Sequence, residues 1–60
     1  MHESEIANYA RRLFAEHGER AIAIAAQRLR DAQDKRDDQD ADTWRRVEIA
    51  LMEMRGPRET

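Results

Sequence analysis

The chain contains no cysteine. Disulfides and thiolate metal sites are therefore excluded, along with any redox role for cysteine, and a reducing compartment suits it. Glycine and proline are almost as scarce, two and one respectively, and they are placed as punctuation. No stretch approaches the roughly 20 apolar residues of a membrane span, and the start shows no signal-peptide pattern. The expected location is the cytoplasm, with no membrane contact. A strong charge of one sign is missing too: 11 basic and 13 acidic residues leave a net charge of −2. That balance argues against a general polyanion binder.

Charge and alanine dominate what is present. Charged residues make up 40% of the 60, hydrophobic residues another 40%, and alanine supplies ten of the latter. Large core-forming side chains are few. A chain of this length is one domain at most and buries only about 60% of the surface its unfolded form exposes. Small domains usually gain support from disulfides, a structural metal or oligomerisation. High charge and low mean hydropathy favour disorder, but the low net charge and regular apolar spacing favour an ordered helical domain.

Three helices are expected, over residues 5–17, 19–35 and 43–55. Ser4 is the expected N-cap of the first. Ile6, Tyr9, Ala10, Leu13, Phe14 and His17 then recur at spacings of three and four, one face of an amphipathic helix. Gly18 stands where a helix end favours positive φ. In the second helix, Ile22, Ala25, Ala26, Leu29 and Ala32 form the main stripe, and Ile24 points nearly the opposite way, flanked by Ala21 and Arg28. In the third, Trp44, Val47, Leu51 and Met54 follow at three, four and three, an a/d seam. Gly56 and Pro57 end it in the usual order. Alternating strand patterns are missing. The fold class is therefore all-α: a small three-helix arrangement, or a helical hairpin with a leading helix. Residues 4–55 form the domain, between tails at 1–3 and 56–60.

Asp38, Asp40 and Asp42 alternate like the opening of an EF-hand loop. Such a loop needs Gly at its sixth position and Glu at its twelfth. Counting from Asp38, those positions hold Thr43 and Ile49. Starting at Asp37 puts Ala41 at the fifth, and starting at Asp40 puts Trp44 there. The stretch therefore reads as an acidic linker from Asp34 to Ala41, with Asp40 or Asp42 capping the last helix. His2 and His17 have no second ligand at helical spacing, so no metal site is expected. Glu16 and His17 diverge by about 100° on a helix and make no catalytic pair. A pocket of several hundred Å³ is hard to build in so small a domain. No catalytic residue, cofactor or metal is expected, and the chain reads as non-enzymatic.

Nucleic-acid binding of the helix-turn-helix type is the alternative. Thr43, Arg45 and Arg46 would open a recognition helix, with Arg28, Arg30, Lys35 and Arg36 nearby. Two features oppose it. The connection is longer than the motif's three or four residues, and Asp37, Asp38, Asp40 and Asp42 would repel phosphate. A protein partner, or a second copy in a homodimer, is better supported. Ile24, Ile49 and Met52 fall off the main apolar stripes and form the candidate interface. Two readings of them stay open: they pack the helices together on a second side, or they make an association surface.

The pattern Ala10-x-x-Leu13-x-x-x-His17-Gly18-x-x-Ala21-x-x-x-Ala25, an acidic turn, then Trp44-x-x-Val47-x-x-Ala50-x-x-x-Met54 resembles a group of very small bacterial helical proteins of unknown function. The likeness spans residues 7–54, and its most specific parts are the His17-Gly18 corner and Trp44. It implies a helical fold and a bacterial source, and transfers no activity, ligand or site residue. That group tends to carry a Gly in the acidic turn. This chain has none between 19 and 55, so its turn is expected to differ.

Overall fold

Helix α1 (Glu3–His17) begins two residues ahead of the expected start. His2 holds the cap position with extended backbone, and its N–H donates to Oε1 of Glu5 at 3.3 Å. Glu5 is long enough to reach back over the first turn, so the helix starts upstream. Ser4, the expected cap, sits inside that turn and is exposed. The computed structural model describes residues 2–56, so Pro57 and the rest of the last tail lie outside the described residues. Glu3, assigned to the leading tail, is already helical.

Gly18 ends α1 with φ 64°, and its N–H donates to the Phe14 carbonyl at 2.7 Å. Open space surrounds the place where a Cβ would stand, so the positive φ alone favours glycine there. Helix α2 (Arg20–Asp34) follows at once.

Helix α3 (Asp38–Arg55) starts well before the expected Thr43. The connection closes to residues 35–37, and a helix-end motif accounts for it. Arg36 takes φ 60°. Its N–H donates to the Gln33 carbonyl at 3.0 Å, and the Asp37 N–H donates to the Ala32 carbonyl at 2.9 Å. Those two bonds around a left-handed residue make a Schellman motif. The residue that glycine would suit is thus Arg36. Asp37 then caps α3, its Oδ1 accepting from the Asp40 N–H at 3.1 Å. The cap is therefore neither Asp40 nor Asp42, and the acidic stretch is mostly helix rather than linker. Aspartates at the cap and in the first turn match the positive end of the helix dipole. Asp42 lies one turn on and pairs with Arg46, Oδ2 to Nε at 3.0 Å.

The fold is all-α: three helices packed on one another, with no strand among the described residues. α2 and α3 pair most extensively, and α3 also packs on α1. Ile6, Ala10 and Leu13 of α1, Ala21 and Ala25 of α2, and Val47 and Leu51 of α3 form the buried cluster. Alanines on α2 let its backbone approach closely. The core line of α2 therefore runs through Ala21, Ala25 and Ala32, and both Ile22 and Ile24 flank it, half-buried. Ile24 packs against the core from the side, instead of standing on the reverse face.

Candidate interface on the third helix

One face of α3 is committed to the interior. Val47 and Leu51 are buried, and Trp44 and Met54 pack half-buried beside them. The Trp44 ring stands edge-on to Tyr9 of α1, centroids 5.6 Å apart at 73°. The guanidinium of Arg28 on α2 lies over the same ring, 5.6 Å from its centroid. Edge-to-face packing and a cation on a π face are both favourable. Trp44 therefore joins all three helices, with its ring covered from two sides.

The other face of α3 carries Ile49, 51% exposed, and Met52, 45% exposed, the large exposed hydrophobics among the described residues. The two share a surface depression of about 390 Å³ with Glu53 and Gly56. Ile49 also borders a second, of about 400 Å³, with Arg46, Ala50 and Glu53 of α3 and Ile6 and Ala7 of α1. Ile49 is thus a ridge between two hollows, and Glu53 edges both. The structure does not bring Ile24 into either. It lines a separate depression of about 440 Å³ with His17, Arg20, Ala23, Gln27 and Arg28.

Arg46, Glu53 and Gly56 were not among the expected interface residues, although they share the hollows with Ile49 and Met52. A signal was available: 49, 52, 53 and 56 stand at i, i+3, i+4 and i+7, one patch of helix surface.

A fourth depression, about 450 Å³, is polar, lined by Ile6, Asp37, Gln39, Asp40, Asp42, Thr43 and Arg46. All four hollows are open surface depressions, not enclosed pockets, and the one beside Met52 is lined by α3 and its cap alone. Glu16 Oε1 comes within 3.8 Å of His17 Nε2, closer than a 100° divergence suggests, but both side chains are largely exposed. No third group among the described residues hydrogen-bonds to either side chain. Among the described residues, no three His, Asp or Glu side chains gather as metal ligands. No helix among them is long and apolar enough to cross a membrane.

The three-residue connection meets the length of a helix-turn-helix turn, which removes one of the two objections to that reading. The charge objection sharpens. Asp37, Asp38 and Asp40 cap and open α3, where the N-terminal residues of a recognition helix would meet the groove.

No protein-family model, no curated protein and no solved structure matches this chain.

Proposed function

We propose that this is a small non-enzymatic interaction or accessory module that binds another protein, or itself, through the outer face of α3. One observation carries the reading: Ile49 and Met52 are exposed side by side on a helix whose opposite face is already spent on the core. Single exposed apolar residues are ordinary. Two large ones on adjoining turns, beside hollows on both flanks, are the make-up of a contact surface. The size of the domain supports this too, because association offers a stabilisation its small core does not. A location in the cytoplasm is part of the same proposal.

The test is the melting temperature as a function of protein concentration. Self-association predicts a rise with concentration, since mass action favours the bound state. A constant melting temperature, with no partner that protects Ile49 and Met52 from solvent, removes the reading.

Helix-turn-helix binding to nucleic acid is the second reading, favoured by the short connection at residues 35–37. It predicts DNA affinity that falls steeply with salt. Four aspartates at the start of α3 count against it, and absence of a salt-dependent complex at low ionic strength would end it.

A further inference from the structure

Resting on that reading of Ile49 and Met52, the geometry points to a second copy of this chain as the occupant: α3 pairs antiparallel with α3, and Arg46 of each copy meets Glu53 of the other. The hollow lined by Ile49, Met52, Glu53 and Gly56 has the i, i+3, i+4, i+7 spacing of a hole that receives one side chain from a facing helix. Among the described residues, nothing outside its chain neighbours comes within 4 Å of where a Cβ on Gly56 would stand. The matching knob is on the same surface: Ile49 is the most exposed large apolar residue of the described chain. A surface that carries both knob and hole is self-complementary, which is what a two-fold interface demands.

Charge sets the direction. At 100° per residue, Arg46 stands about 60° to one side of Ile49, and Glu53 about 40° to the same side. Under an antiparallel two-fold, that edge of one helix faces the same edge of the other. Seating Ile49 in the hole of the second copy then leaves Arg46 and the opposite Glu53 within roughly one helical turn along the axis. A parallel pair would instead bring Arg46 beside Arg45 of the second copy, like against like. Arg46 is prepared for the contact. Its Nε already donates to Asp42, which orients the guanidinium and leaves the Nη hydrogens for a second carboxylate. Among the described residues, Glu53 makes no ion pair within its own chain. One helix seam per copy lies at the small end of protein interfaces, so the dissociation constant is expected at roughly tens to hundreds of micromolar.

The test is charge reversal in the full chain, read as the dissociation constant by sedimentation equilibrium. R46E and E53R should each weaken the dimer about tenfold, and the double variant R46E/E53R should regain most of the loss, because its pairs re-form across the interface. Both sites are exposed, and circular dichroism at dilute concentration checks the fold. Cross-linking gives a second readout, since the chain has no cysteine of its own. Mixed Ile49→Cys and Met52→Cys chains should form their mixed disulfide faster than Met52→Cys pairs with itself. Additive weakening in the double variant, or faster self-pairing of Met52→Cys, overturns the antiparallel arrangement. It leaves the Ile49/Met52 surface standing if I49E/M52E still dissolves the dimer. A chain that stays monomeric at about 1 mM overturns the dimer outright and leaves the hollow to a different protein.

Discussion

Replacing Leu51 by alanine probes the interior most sharply. Leu51 is fully buried at the meeting of the three helices. The substitution deletes three carbons, worth about 2.4 kcal/mol in transfer energy at about 0.8 kcal/mol each. The cavity left behind adds to that, so a loss of about 3–4 kcal/mol is expected. A 60-residue domain has a total stability of about 3–9 kcal/mol at typical values per residue, and small cores lie near the bottom of that range. Leu51→Ala should therefore be largely unfolded at room temperature. Ile49→Ala, two residues away on the exposed face, should cost about 0.5 kcal/mol or less in the monomer. Urea titrations followed by circular dichroism, at a concentration low enough to keep the chain monomeric, compare the two directly. A loss below about 1 kcal/mol for Leu51→Ala, or equal losses at both sites, would refute the division of α3 into an inner and an outer face.

The turn offers two further tests. Arg36→Gly should raise the melting temperature by a few degrees, because glycine takes φ 60° without the cost of about 1 kcal/mol borne by a residue with a Cβ; a fall would mean that the Arg36 side chain has a role of its own. Asp37→Ala should lose about 1 kcal/mol with its cap, whereas Asp42→Ala should lose about 0.5 kcal/mol or less with its exposed ion pair; thermal melts that reverse this order would return the cap to Asp42. Acrylamide should quench Trp44 clearly less in the folded chain than in urea, and Tyr9→Ala should narrow that difference; equal quenching in the two states would place the indole in water.

The sequence shows the helices where their residues repeat regularly. The α1 stripe from Ile6 to Phe14 and the α3 seam of Val47 and Leu51 are both buried or half-buried as their spacing predicts. The start of α3 is hidden because aspartate serves solvated loops and first helical turns equally well. Only the αL turn at Arg36, and the cap at Asp37 that follows it, decide between them. No residue type announces that turn, since arginine is a poor αL former. The place of Ile24 is hidden for a different reason. Periodicity ranks residues by apolar character, whereas close helix packing puts the smallest ones on the centre line. On α2 that line belongs to Ala21 and Ala25, and Ile24 becomes a flank. Ile49 and Met52 stand out in the sequence because they fall off the seam. Their neighbours Arg46 and Glu53 look like any solvated charges until the hollows around Ile49 are seen.

Sedimentation velocity of the intact chain beside its I49E/M52E variant, from about 10 μM to 1 mM, tests the claim that the outer face of α3 is a self-association surface. The weight-average mass of the parent should climb from the 7.1 kDa of one chain towards twice that, while the variant stays at one chain throughout. Identical masses for the two at every concentration would contradict it.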